Sequence, residues 1–263
     1  MDAQIKNIKV LVVEDIALNQ LLMKTLLDDF EFESDIAGNG KIAIEKLQSK
    51  SYDIILMDLQ MPEMNGFEAT EYIRNKMHSN IPIIALTADV TTVDLAVCKD
   101  VGMNDYIAKP VDEKLLYSKI VGLVKRTTPT NGYKANGNGK NESVKSIDLT
   151  YLKKSTKSKP SLMMEMISLY LAQTPALIKV MKEGSKNEDW DSVKSAVHKM
   201  IPSFSIMGIG KDIENMARKV QEDAGTRQDT DEIPGLVSQI ETACLLACQE
   251  LEVEYEIIKN TIV

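Results

Sequence analysis

Residues 53–66 read Asp53-Ile-Ile-Leu-Met-Asp58-Leu-Gln-Met-Pro62-Glu-Met-Asn-Gly66. Four apolar residues in a row, held between two acids, fit a strand buried on both faces. The Met-Pro and Asn-Gly pairs after them are turn formers. Toward the N-terminus the same alternation recurs. An apolar run at 9–13 precedes a helical pattern at 18–30, and a short strand at 33–37 precedes a helix near 41–49. Toward the C-terminus come a helix at 67–77, an apolar run at 81–86, a helix at 93–101, a strand at 105–108 and a helix at 113–125. Five β–α units of this kind predict a doubly wound parallel sheet covered by helices on both faces. Ligands of such sheets bind beyond the carboxyl ends of the strands.

The pattern stops at residue 126. Residues 127–146 (TTPTNGYKANGNGKNESVKS) hold three apolar side chains, Tyr133, Ala135 and Val144. A stretch this polar buries too little surface to offset its ordering entropy, so a flexible linker is expected. Residues 147–263 show helical spacing alone, at 161–182, 188–207, 211–222 and 233–262. Within the second of these, Trp190, Val193, Val197, Met200, Phe204 and Met207 recur at steps of three and four, the seam of a bundle helix. The expected organisation is therefore 1–126, a linker at 127–146, and a four-helix bundle at 147–263.

Composition narrows the function. The net charge is −8, with −6 in residues 1–126, −4 in 147–263 and +2 between them. With no basic stripe in either half, the charge argues against nucleic acid as a partner, because that binding rests on Lys and Arg neutralising phosphates. A transcriptional regulator is disfavoured for the same reason. The N-terminal apolar run is too short for a signal peptide or a membrane span, so a cytoplasmic protein is expected. Cys98, Cys244 and Cys248 have no metal-spaced partners and are expected to be ordinary reduced residues.

Chemistry concentrates at the strand ends. The first strand ends in Glu14-Asp15, the third in Asp58, the fourth in Thr87, and the fifth leads into Lys109-Pro110. A parallel sheet brings these to one edge. Three carboxylates packed together repel unless a hard divalent cation neutralises them, and Mg²⁺ prefers carboxylate and water oxygens. Lys109 and Thr87 could take the remaining oxygens of a phosphoryl group. That is a setting for in-line phosphoryl transfer onto a carboxylate. A phosphatase of the haloacid-dehalogenase type needs a second acid two residues after its nucleophile; Gln60 stands there instead.

Glu14-Asp15, then Asp58-Leu-Gln-Met61-Pro62-Glu-Met64-Asn-Gly66, then Ala85-Leu-Thr87-Ala88, then Tyr106-Ile-Ala-Lys109-Pro110 together resemble the signature of response-regulator receiver domains. The resemblance covers about residues 5–126. It implies a flavodoxin-like α/β fold with Asp58 as phosphoacceptor. It also implies Mg²⁺ held by Glu14, Asp15, Asp58 and the Gln60 backbone carbonyl, Lys109 paired with the acyl phosphate, and a switch formed by Thr87 with Tyr106. Met61-Pro62 needs no catalytic role and shapes the loop.

Two histidines occur in the chain. His78 lies in a polar turn and reads as solvated. His198 sits one residue past the seam position Val197, at the edge of the apolar stripe, where a neutral imidazole can act as a nucleophile. Ala196-Val-His198-Lys-Met200, with Ser203 and Met207-Gly208 beyond, resembles the core of histidine phosphotransfer (HPt) domains. That resemblance implies His198 as a second phosphoacceptor. The family pattern has Lys three residues after the histidine and Gly four after; here Ile201 and Pro202 occupy those places. Lys199 is about 100° away around the helix, so it substitutes imperfectly. Pro202 cannot donate to the His198 carbonyl and is expected to kink the helix.

The whole reads as a two-component phosphorelay protein passing a phosphoryl group through Asp58 and His198. With no glycine-rich nucleotide loop, it has no kinase module of its own. An upstream histidine kinase and a downstream response-regulator receiver are implied, and paired domains of this kind often form the C-terminal part of hybrid sensor kinases. The alternative is a receiver joined to a helical docking or inhibitory module whose His198 carries no phosphate.

Overall fold

The computed structural model describes residues 7–87, 92–125 and 147–261, so the expected linker at 127–146 lies outside the described residues. The chain divides into two compact units, one built on a β-sheet and one of helices, the second taking in residues 14–29 as well as those from 146 on.

Up to Lys125 strands and helices alternate: β1 (Lys9–Val13), α1 (Ala17–Asp29), β2 (Glu33–Ala37), α2 (Gly40–Ser49), β3 (Ile54–Asp58), α3 (Gly66–Asn75), β4 (Ile83–Thr87), α4 (Thr92–Asp100), β5 (Asp105–Ala108) and α5 (Glu113–Lys125). All strand pairs are parallel, in the order β2-β1-β3-β4-β5. Every residue of β3 and β4 is buried, as their continuous apolar sequence requires of central strands. β2, at the sheet edge, keeps most of its residues part-exposed. β4 starts at Ile83 rather than at 81, because Pro82 has no N–H to enter the ladder. The Pro82 carbonyl still accepts from Ile55 N–H at 2.9 Å.

Register decides which strand ends meet. Val13 aligns with Met57, Asp58 with Leu86, and Thr87 with Ala108. Residues 14–15, 58, 87 and 109 therefore emerge at one edge.

Among the described residues from 147 on, the helical unit has α6 (Thr150–Ser155), α7 (Pro160–Lys186), α8 (Trp190–Met207), α9 (Lys211–Thr226), one 3-10 turn and α10 (Ile233–Thr261). Helix α6 has no counterpart in the sequence pattern, since six residues are too few to show a period. Helices α7 and α9 each pack against both α8 and α10, closing a ring of four. The α8 seam is buried as its spacing predicts at Val193, Val197, Met200, Phe204 and Met207, while Trp190 is half-buried. Asp189 caps α8 by accepting from Ser192 N–H, and Gly208, at φ 67°, ends it in the left-handed conformation that suits glycine. Helix α8 is continuous through Pro202.

All three cysteines are free and buried. Burial pushes the Cys244 thiol up to about 12 and raises that of Cys248 as well. A thiolate-selective alkylating reagent at pH 8 should leave the native protein unlabelled and modify three thiols once it is unfolded. Rapid labelling of native Cys244 would contradict this packing.

Candidate functional site

Asp58 is the last residue of β3 and is 5% exposed. The loop from Leu59 to Asn65 is built to hold it still. Leu59 N–H donates to Leu86 O at 3.3 Å, and Gln60 N–H donates to Asp58 Oδ1 at 3.2 Å. The loop buries Met61 and packs Met64 and Phe67 against the sheet core. Met64 O accepts from Gly40 N–H at 3.1 Å, and Asn39 Nδ2 donates to Glu63 Oε1 at 3.2 Å, so the start of α2 clasps the loop. A capping box then starts α3: Glu68 N–H donates to Asn65 Oδ1 at 3.0 Å, and Asn65 N–H donates to Glu68 Oε2 at 2.9 Å. Asn65→Ala should cost about 1 kcal/mol of stability, measured by urea unfolding, because two terminal N–H groups lose their acceptors or alignment. An unchanged midpoint would show that the box is incidental.

Lys109 comes to the same place from β5. Its N–H donates to Thr87 O at 2.7 Å, and its Nζ lies 2.6 Å from Asp58 Oδ2, with both side chains largely shielded from water. The Lys109-Pro110 peptide is cis. Glu14, completely buried, accepts from Ile16 N–H at 3.2 Å and Asn19 Nδ2 at 3.0 Å through Oε1. Gln20 Nε2 donates to the Glu14 carbonyl at 2.6 Å.

One carboxylate oxygen from each of Glu14, Asp15 and Asp58 lies within 4.8 Å of the others. Three negative charges this close, two on buried residues, face the Lys109 ammonium. An all-oxygen donor set with surplus negative charge fits a small hard cation such as Mg²⁺. The remaining residues expected at the site are near it by register. Thr87 is buried at the end of β4. Tyr106, on β5, is part-buried, with Lys119 Nζ 5.0 Å from its ring centroid while Lys119 also pairs with Asp105. Gln60 is exposed, and its N–H donates to Asp58 Oδ1. Ala88 lies outside the described residues.

In the helical unit His198 is half-buried on α8, with Nδ1 3.3 Å from Gln221 Nε2 of α9. His78, at φ 51°, sits in the turn after α3. Sequence reasoning missed the clamp on Glu14, the capping box and Gln221. The box was legible as Asn65-Gly-Phe-Glu68, an N-cap residue with Glu three positions on. Asn19, Gln20 and Gln221 carry no local signal, since their roles depend on tertiary contacts.

Comparison with known proteins identifies the sheet-bearing part of the chain. Residues 10–121 match the response regulator receiver domain. Over 115 residues the chain is 44% identical to hybrid signal transduction histidine kinase B of Dictyostelium discoideum, covering 39% of this chain and 6% of that one. The signal transduction histidine-protein kinase BarA of Escherichia coli (strain K12) is 26% identical over 231 residues, 84% of this chain and 24% of BarA. The chain thus spans at most about a quarter of these relatives. Among solved structures, the receiver domain of sensor histidine kinase PA1611 from Pseudomonas aeruginosa PAO1, with a magnesium ion in its active site cleft, is 32% identical. That match covers 45% of this chain and 98% of that one, with a TM-score of 0.42. The five-stranded parallel sheet, its acidic edge and the family match agree: residues 10–121 are a response regulator receiver domain, homologous to those of hybrid histidine kinases.

Proposed function

We propose that this chain is a phosphorelay protein that accepts a phosphoryl group on Asp58, with Mg²⁺, and relays it through His198 of an HPt domain at 147–263. The observation that carries the reading is Asp58 beside Glu14 and Asp15 with Lys109 Nζ 2.6 Å from its Oδ2. An Asp58 oxygen attacks the phosphorus of a phosphohistidine on an upstream kinase; the P–N bond breaks as the O–P bond forms. Lys109 moves from the carboxylate to a phosphoryl oxygen, and the Thr87 hydroxyl takes another. Glu14, Asp15 and Asp58 would hold Mg²⁺, whose charge would offset that of the dianionic phosphoryl group among the carboxylates. The backbone around Asp58 supplies the alignment, since the loop is pinned on both sides before any donor arrives.

On the helical side, His198 has the half-exposure a nucleophile needs and a partner for one ring nitrogen. A downstream receiver would take the phosphoryl group from it. The reading places the chain in the cytoplasm, where three free cysteines stay reduced.

The test labels wild type, Asp58→Asn and His198→Gln with a radiolabelled histidine kinase. The expected result is alkali-labile label lost in Asp58→Asn and acid-labile label lost in His198→Gln. Label confined to Asp58 in every condition would leave a receiver joined to a docking module.

A further inference from the structure

Helices α8 and α9 meet along a seam whose register three pairs fix. Lys194 lies against Gly225, where a Cβ built on the glycine falls 3.4 Å from both Cε and Nζ of the lysine. His198 meets Gln221 at 3.3 Å, and Ser205 Oγ donates to Glu214 Oε2 at 3.1 Å. Numbers rise along α8 as they fall along α9, so the helices run antiparallel with Lys194 and Gly225 one turn from His198 and Gln221. On α8, Lys194 and His198 are spaced i, i+4 and share a face. Ile201 continues that face and is 4% exposed; the register of the three pairs puts it near the level of the fully buried Ala217 of α9. A cation three residues after His198 would start from a buried position and have to stretch toward the rim to reach water. Lys194 forms no ion pair or hydrogen bond among the described residues. The glycine opposite leaves the groove along α9 open to the lysine stem.

We propose that Lys194, laid across Gly225, supplies the positive charge that holds the phosphoryl group at His198, with Gln221 fixing the ring. This rests on His198 being a phosphoacceptor. Nitrogen and oxygen of a Gln amide are interchangeable in assignment. With Gln221 Oε1 turned to accept from Nδ1–H, the Nε2 lone pair is free for attack. The phosphoryl group then bonds to Nε2, the donor's bond to phosphorus breaks, and the ring proton stays on Nδ1 against Gln221. Lys194 approaches the phosphoryl oxygens from the preceding turn of α8, the side opposite to that of Ile201.

The test uses the full chain in an Asp58→Asn background, with phosphoramidate as donor and ammonia as leaving group. Acid-labile phosphate on His198 is followed over time. Lys194→Gln should slow labelling about five- to tenfold, a partly exposed charge-assisted contact being worth that much. Lys194→Arg should stay within about twofold, because charge rather than shape is required. Gly225→Leu, which keeps the lysine but fills its groove, should resemble Lys194→Gln. The Lys194→Gln deficit should shrink as salt is raised. Equal rates for Lys194→Gln and its parent, or a deficit shared by Lys194→Arg, would overturn the assignment of charge to Lys194 while leaving His198 as acceptor. No acid-labile label in the parent, together with none from a histidine kinase, would overturn both.

Discussion

Gly66→Ala should disable the receiver. A Cβ at Gly66 falls 2.2 Å from the Asp58 carbonyl oxygen and 3.0 Å from Leu59 Cα, contacts that backbone atoms cannot avoid by changing a rotamer. The glycine is needed for close approach rather than for an unusual dihedral: Gly66 N–H donates to Leu59 O at 3.1 Å, drawing the start of α3 onto the end of β3. With alanine there, either α3 backs away or the end of β3 shifts. Overpacking of this kind costs about 2–3 kcal/mol, and here it lands on the residue that carries the chemistry. A displacement near 1 Å at a reacting group costs about a hundredfold in rate. The measurements are the urea midpoint and the rate at which Asp58 is phosphorylated by acetyl phosphate. Both should fall, the rate by more than the stability loss explains while the protein is still folded. Wild-type phosphorylation by a folded Gly66→Ala protein would show that the loop has slack the structure does not suggest.

The receiver was legible because its chemistry sits at strand ends and its strands are continuous apolar runs. Once Asp53–Asp58 reads as a buried parallel strand, topology alone brings Glu14, Asp15, Thr87 and Lys109 to Asp58. What was not legible is how each acid is held. Asn19 and Gln20 look like ordinary polar residues at the start of an amphipathic helix, and only the fold aims them at Glu14. The helical unit was less open to reading. Its four long helices follow from periodicity, but their lengths do not. Helix α7 runs to Lys186 and α9 to Thr226, four residues beyond the expected ends in each case, because neighbouring helices keep burying their last turns. Pro175 and Pro202 both sit inside helices that a propensity argument would interrupt. The pairing of α8 with α9 has no sequence signature, so the surroundings of His198 had to be seen.

Those surroundings reverse an expectation about repair. Judged by the HPt pattern alone, Ile201→Lys supplies the lysine of that pattern and should improve phosphotransfer. Judged by the seam, it exchanges a packed aliphatic side chain for an ammonium at a position 4% exposed. The head group could stretch toward water along the rim, which lowers the penalty, but the lost packing and partial desolvation remain. The expected cost is about 2–4 kcal/mol at pH 7. Its pH dependence identifies the cause. Desolvation depresses the folded-state pKa of the introduced lysine below its unfolded value of about 10.4. The unfolded chain then binds more protons across the interval between the two, so stability rises with pH there. The penalty should be fullest below the depressed folded pKa and smaller by pH 10. Urea unfolding of Ile201→Lys and Ile201→Met at pH 7 and pH 10 separates charge from shape, with Ile201→Met expected within about 1.5 kcal/mol of wild type at both. A stable Ile201→Lys protein that accelerates labelling of His198 would place the cation site at the motif position, and would remove the structural reason for assigning that role to Lys194.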